Sequence, residues 1–335
     1  MCDAISYIQP GPYIVDNTNY DNKYETPVLT PGKAFILGYT NEKKGIYDAT
    51  DNNVIIFDDF TTATKFVDFK FKVKSSAMKI LISKDSSKYN IKYFYYLLNT
   101  IQINSDTHKR FWISEYEDYY VKIPVFWYQS LIVDFLDVLF YKIDLIAKEN
   151  TKLINIIEVT KTKILDEIFS NNSSYKSYYE KQYTLDEVLP YEQPSLYIVK
   201  TTNYNDSYDT PVLTPGKSFV LGYTDEKEGI YNVNNSKVII FDDFTTASRL
   251  IDFNFKVKSS AMKILKSSND NIFNIDYLFY LLQTLNVNND THKRYWISEY
   301  SQIKVNIHKY AEQLKIVNDI KKAYNLLDQI IESNI

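Results

Sequence analysis

The feature that most constrains this chain is that it contains itself. Residues 13 to about 121 recur as residues 197 to about 305 at a constant offset of 184, without a gap. Thr26-Pro27-Val28-Leu29-Thr30-Pro31-Gly32-Lys33 returns as 210–217, Phe57-Asp58-Asp59-Phe60-Thr61-Thr62-Ala63 as 241–247, and Lys72-Val73-Lys74-Ser75-Ser76-Ala77-Met78-Lys79-Ile80-Leu81 as 256–265. Thr107-His108-Lys109-Arg110 and Trp112-Ile113-Ser114-Glu115-Tyr116 return at Thr291 and Trp296. A repeat of about 110 residues falls within the size range of a domain, so the chain reads as two copies of one domain rather than one large core.

Inside a copy, the apolar run 54–57 and the alternation of Phe66, Asp68, Lys70, Lys72 and Lys74 with Val67, Phe69, Phe71 and Val73 have the period of two expected of strands. Residues 91–101 read as a helix. Six of the seven glycines are Gly32, Gly38, Gly45 and their counterparts Gly216, Gly222 and Gly229, placed to shape loops. Each copy is expected to be a mixed, sheet-containing domain.

Between the copies the pattern changes. Ile132, Leu136, Leu139, Ile143 and Ile146, then Leu153, Ile157 and Ile164, follow a heptad seam interrupted at Asn150 and Thr160. A helix over 126–169 would be about 65 Å long at ~1.5 Å per residue. The seam restarts after the second copy with Ile316, Ile320, Ala323, Leu327 and Ile330, again offset by 184. Asn334 falls where Asn150 does; a buried asparagine pair that fixes register and a solvent-facing pair are both open readings. Asn171-Asn172-Ser173-Ser174 ends the first helix, and a polar, tyrosine-rich stretch to about Gln182 leads into the second copy. The expected division is a first domain at 1–124, a long helix at 125–170, a linker at 171–184, a second domain at 185–308 and a final helix at 309–335.

Composition narrows function. Hydrophobic residues at 45% and charged residues at 24% are those of a soluble globular chain. No stretch approaches the apolar length of a membrane span and the first residues do not resemble a signal peptide, so a cytoplasmic location is expected. The single cysteine, Cys2, precludes an internal disulfide or a cysteine-based metal site. The net charge of −4 weighs mildly against a lone nucleic-acid binder, which normally presents a basic face.

The order domain, long helix, domain, long helix resembles the specificity subunits of Type I restriction-modification systems. The resemblance spans nearly the whole chain and is carried by Tyr197-Ile198-Val199, 211–217, Gly222-Tyr223-Thr224, 239–244, 256–265, Trp296-Ile297-Ser298 and the helix opening Gln313-x-x-Ile316-Val317. Two departures stand out: Leu185-Asp186-Glu187-Val188-Leu189 is reduced to residues 1–6 in the first copy, and the last helix is shorter than the first. The resemblance implies an α+β fold in which two target-recognition domains are held by two long antiparallel coiled-coil helices with pseudo-two-fold symmetry. It implies double-stranded DNA and two methyltransferase subunits as partners, and leaves open whether a restriction/translocase subunit joins them. It also implies no cofactor in this chain, S-adenosylmethionine belonging to the methyltransferase, and the shared phosphate contacts would answer the charge objection. The target expected is a near-palindrome with an unread spacer. The helix-pair core would comprise Ile132, Leu136, Leu139, Ile143, Ile146, Ile316, Ile320, Leu327 and Ile330.

Chemistry within the chain is disfavoured. A glycine-rich donor loop and an Asn/Asp-Pro-Pro-aromatic element, which an amino-methyltransferase needs, are both missing. Asp58, Asp59 and Asp68-Phe69-Lys70 have the residue types of a Mg²⁺ nuclease. The second copy carries Asn254 in place of Lys70, and Asp58 and Asp59 are better read as residues that cap a turn or bond to backbone amides.

The DNA-binding candidates start from scarcity. His108, Lys109 and Arg110, with His292, Lys293 and Arg294, hold two of the three histidines and two of the three arginines. Arginine reads guanine bidentately, and lysine and histidine meet phosphates or base edges; a solvated basic rim beside core tryptophans is the bland alternative. Lys72 and Lys74, with Lys256 and Lys258, would form a phosphate-facing stripe. Thr61, Thr62 and Lys65, with Thr245, Thr246 and Arg249, would add hydroxyl and cationic contacts. Lys33, Lys217, Tyr39 and Tyr223 complete the set on the glycine-shaped loops. A repeat module that binds a symmetric protein partner without DNA is the competing function.

Overall fold

The computed structural model describes residues 1–30, 34–101, 103, 110–170, 173–175, 179–214, 218–233, 236–285, 287 and 293–334. Two compact units divide the chain, 1–146 and 147–335.

The first unit contains β1 (Ile5–Ile8), β2 (Thr26–Leu29), β3 (Ile36–Thr40), β4 (Val54–Asp58), β5 (Thr64–Val67), β6 (Lys72–Val73), β7 (Met78–Ser83) and α1 (Ile91–Thr100). The long helix α2 (Phe126–Phe169) begins here and ends in the second unit. An antiparallel sheet has the order β1-β7-β4-β5, and a smaller one the order β3-β2-β6. In the smaller sheet β2 pairs antiparallel with β3 and parallel with β6.

Strand β4, Val54-Ile55-Ile56-Phe57-Asp58, is buried along its whole length. Its alternation sends Ile55 and Phe57 into one apolar cluster with Phe94, Trp112 and Tyr116, and Val54 and Ile56 into another with Phe71, Val73 and Ile80. A strand covered on both faces needs no polar side, which is why the run is continuously apolar. Helix α1 covers the first cluster with Phe94 and Leu98. It starts at Asn90, whose side chain accepts from the amides of Lys92 and Tyr93 and so satisfies donors that a helix cannot.

The second unit contains β8 (Tyr179–Thr184), α3 (Leu185–Val188), β9 (Tyr191–Glu192), β10 (Thr210–Leu213), β11 (Val220–Thr224), β12 (Val238–Asp242), β13 (Ser248–Ile251), β14 (Lys256–Val257), β15 (Met262–Leu265), α4 (Ile275–Gln283), α5 (Tyr295–Ser298), β16 (Lys304–His308) and α6 (Tyr310–Asn334). Its sheets have the orders β13-β12-β15-β9, β11-β10-β14 and β16-β8. Val28↔Lys72 in β2 and β6 is matched by Val212↔Lys256 in β10 and β14. Both units are therefore mixed helix and sheet, built on several small sheets.

A buried glutamine ties the start of each long helix to its unit. Gln129 accepts from the Asn90 amide at 2.8 Å and donates to the carbonyls of Lys88 and Pro124. Gln313 does the same with the Asn274 amide, Ile272 and His308. In the second unit the end of α2 meets α6. Lys161 pairs with Asp328 at 2.7 Å, Tyr324 donates to the Lys161 carbonyl, and Tyr175, just past α2, donates to Asp319. Positions rising along α2 thus meet positions falling along α6.

This redraws the expected helix-pair core. Ile316 and Ile320 are fully buried, in one cluster with Leu165 from the end of α2. Ile132, Leu136 and Leu327 are half-buried, whereas Leu139, Ile143, Ile146 and Ile330 are exposed. The heptad pattern identified apolar positions but could not say which stretch of α2 faces the start of α6.

Candidate nucleic-acid interface

In each unit the turn after the doubly buried strand is braced by several hydrogen bonds. In the first unit the Asp58 carboxylate accepts from the Phe60 amide at 3.0 Å and from the Thr61 hydroxyl, while the Thr62 amide returns to the Asp58 carbonyl at 3.0 Å. Thr62 is held at φ +62°, in the left-handed region that costs an L-residue about 1–2 kcal/mol. Asp59 points inward. Its carbonyl accepts from the Phe111 amide at 2.9 Å, and its carboxylate accepts from the Trp112 amide at 2.9 Å and lies 3.5 Å from Lys79 Nζ. The turn is thereby fastened to a short π-helical turn, Trp112–Tyr116, which begins two residues after Arg110.

The second unit builds the same turn. Asp242 accepts from Phe244 and Thr245, Thr246 has φ +62°, and the Asp243 carbonyl and carboxylate accept from the amides of Tyr295 and Trp296 at 2.9 and 2.7 Å. Asp58 and Asp59 are thus turn and backbone acceptors, as the bland reading of the acidic pair had it. Among the described residues no group of three or more His, Cys, Asp or Glu side chains is placed to hold a metal ion.

Arg110 and Arg294 are both exposed. The Arg110 guanidinium lies 6.0 Å from the ring of Phe60, which is 43% exposed at the tip of the turn. Lys293 is exposed, with its ammonium on Glu299 and 5.4 Å from the Tyr295 ring. The adjoining tryptophans, Trp112 and Trp296, are core. Lys65 and Arg249 are exposed on β5 and β13, one strand along from the turn, and Arg249 lies 5.2 Å from the Phe219 ring.

Two sets of candidates change role. Lys72 and Lys256 do not join a phosphate-facing stripe: both are almost fully buried, with Lys72 Nζ 2.9 Å from Glu42 and 2.7 Å from the Lys44 carbonyl. Lys256 bonds Glu226 and the Glu228 carbonyl in the same way. Burial alone would raise the Glu42 carboxyl, but hydrogen bonds from Lys72 and from the amides of Asn17 and Asp16 together hold it below its usual range. The physical reason for the change is that the strand alternation does not continue: β5 stops at Val67, and β6 is a separate two-residue strand lying on β2. Lys74 and Lys258 remain partly exposed, about 6 Å over the rings of Tyr20 and Tyr204.

The threonines also change role. Thr61 and Thr245 donate to the turn aspartates, and Thr62 and Thr246 bond the hydroxyls of Tyr116 and Tyr300, so all four build the turn. Tyr39 and Tyr223 are half-buried on β3 and β11, opposite Pro27 and Pro211. His108, Lys109, His292, Lys33 and Lys217 lie outside the described residues. Phe60 and Phe244 escaped the sequence reading because an aromatic after Asp-Asp looks like core; the following Thr-Thr pair was the available sign of a turn.

No family model matches the chain. Over 125 residues it is 53% identical to the Type I restriction enzyme EcoR124I/EcoR124II specificity subunit of Escherichia coli. The match covers 37% of this chain and 31% of that protein, so the chain spans about a third of the length of the curated relative it matches. Among solved structures, a chain from work on complex assembly and conformational transition of the type I R-M system superposes with a TM-score of 0.60 at 12% identity, over 99% of this chain and 93% of that one. The S subunit of a Type-I restriction-modification system from M. genitalium aligns over 99% of this chain and 89% of its own at 14% identity, with a TM-score of 0.44. The fold is that of a chain from a type I R-M system. The resemblance to a Type I specificity subunit is borne out over those 125 residues by the curated relative.

Proposed function

We propose that this chain is the DNA-reading specificity subunit of a Type I restriction-modification complex and performs no chemistry itself. Two target-recognition domains, 1–124 and 185–308, would read the two halves of a near-palindromic site. The helices at 125–170 and 309–335 would act as an antiparallel coiled-coil spacer of pseudo-two-fold symmetry. Two methyltransferase subunits would bring S-adenosylmethionine and the methyl-transfer chemistry, with a restriction/translocase subunit as an optional further partner.

The observation that carries this reading is that one braced turn, with exposed arginine beside it, occurs twice at the same sequence offset. Two similar heads on one chain suit a bipartite site, by the logic that ties half-site spacing to the separation of reading elements. In each unit Arg110 or Arg294, Lys65 or Arg249, and Lys74 or Lys258 supply the cationic contacts, with Lys293, Tyr39 and Tyr223 as secondary candidates. His108, Lys109, His292, Lys33 and Lys217 stay in the set on sequence alone. Exposed Trp127, Leu131, Phe135 and Val138 on α2 support docking of a protein subunit there. At the same offset α6 carries Ala311, Lys315, Asp319 and Lys322, so such docking would be asymmetric.

The test is selection of bound duplexes from a random pool by the full chain co-purified with methyltransferase subunits. An enriched pair of inverted, near-identical half-sites at fixed spacing, lost in an Arg110→Ala/Arg294→Ala chain, is the expected result. No enriched sequence, or enrichment indifferent to both arginines, would favour the protein-interaction module instead.

A further inference from the structure

We infer that Phe60 and Phe244 are specificity-determining residues, each laying its ring against the methyl group of a thymine in the major groove beside a base read by Arg110 or Arg294. This deepens, and rests on, the DNA-reading function proposed above.

A singly exposed phenylalanine is common and means little. These two differ in what holds them. Phe60 is 43% and Phe244 42% exposed, each at the tip of a turn in which the β-branched residue two places on, Thr62 or Thr246, sits at φ +62°. A β-branched side chain in that region is strained, and such strain persists only where the surroundings over-determine it. Here they do. The preceding aspartate caps the turn, and the next aspartate is locked onto the amide of Trp112 or Trp296 and paired with a fully buried lysine. The strained threonine is held by a buried tyrosine.

All of this rigidity holds in place a ring that stays exposed at the surface. A reading element needs such an apolar group held beside a cation. In the first unit the guanidinium of Arg110 lies 6.0 Å from the ring centroid. In the major groove, arginine pairs with guanine, and phenylalanine suits the thymine methyl, which is the apolar mark of an A·T pair there.

The experiment uses the full chain with its methyltransferase subunits, on the duplex enriched by selection and on duplexes with each thymine of the half-sites replaced in turn by uracil, which lacks only the methyl. Loss of one methyl contact per half-site should weaken binding about three- to tenfold. For the wild-type chain, one uracil position per half-site should show that loss. For Phe60→Ala/Phe244→Ala the same replacement should have no effect, with the affinity for unrelated DNA and its salt dependence unchanged. Phe60→Leu/Phe244→Leu should retain the methyl preference. If no uracil replacement weakens the wild-type chain, or if the alanine variant keeps the full methyl preference, the inference is overturned while DNA reading stands. If the wild-type chain enriches no sequence at all, the functional reading falls with it. Because the uracil series is run on the wild-type chain, a chain indifferent to every replacement overturns the inference even where the alanine variant fails to fold.

Discussion

Asp59 and Lys79 form an ion pair, 3.5 Å apart, in which both side chains are sealed from solvent. The same carboxylate accepts from the Trp112 amide, so it joins the turn after β4 to the segment that follows Arg110. Removing one partner of such a pair strands the other charge in the interior, which costs about 3–5 kcal/mol. Lys79→Met is expected to lower the unfolding free energy by that order, and adding Asp59→Asn to recover part of it, because asparagine still offers an oxygen to the Trp112 amide. Denaturant unfolding of the single and double variants checks this; additive losses would contradict it.

Lysines that look alike in the sequence should separate cleanly by experiment. Lys65→Gln removes an exposed cation on β5 and should leave stability within about 0.5 kcal/mol of wild type. It should weaken DNA binding across all sequences and lower the salt slope by about one. Lys72→Gln, which strands Glu42, should reduce stability and leave the salt slope alone. Titrations over a range of salt concentrations, paired with thermal unfolding, distinguish the two, and a lowered slope for folded Lys72→Gln would count against the burial argument.

Gly45 and Gly11 offer an internal control. Gly45 has φ +61°, and a Cβ there would sit 2.3 Å from the Pro12 carbonyl oxygen, a backbone atom that cannot rotate away. Around Gly11 a Cβ would meet nothing within 4 Å. Gly45→Ala should cost about 1–3 kcal/mol, and Gly11→Ala should change the unfolding midpoint little. Comparable midpoints for the two variants would refute the assignment.

The second unit should lose stability in mild acid. His308 is fully buried, with Nδ1 2.7 Å from the Tyr277 hydroxyl, and burial pushes its imidazole below the usual 6.5, against a smaller opposing pull from the Tyr175 backbone and from Glu312. The unfolded chain therefore binds this proton at a higher pH than the folded one. Its contribution is complete above about 6.5 and declines as pH falls toward the folded value. Asp276 titrates lower: burial raises it, but Lys321 and Lys237 together hold it below its ordinary 3.8. Urea unfolding at pH 7.5, 6.5 and 5.5 should show the decline, and His308→Gln should flatten it. A pH-independent wild type would contradict the account.

What the sequence revealed and what it hid follow from the range of the forces involved. Local periodicity announced β4, β12 and α1, because a doubly buried strand and an amphipathic helix write their environment into consecutive residues. The 184-residue offset likewise required no structure. Lys72 was misread because its partner, Glu42, lies 30 residues earlier and reaches it only through the parallel pairing of β6 with β2. The same limit hid the Lys79–Asp59 pair. In α2 the heptad marked apolar positions but not their partners: Leu165 joins the core of Ile316 and Ile320, whereas Leu139, Ile143 and Ile146 stay exposed.

The most direct test of the central claim is a genome-wide map of modified bases in cells that express this chain with its methyltransferase, set against cells lacking the chain. The account predicts an interrupted motif with inverted, near-identical halves that vanishes with the chain. A methyltransferase that is present and active, yet leaves no motif that depends on the chain, would contradict it.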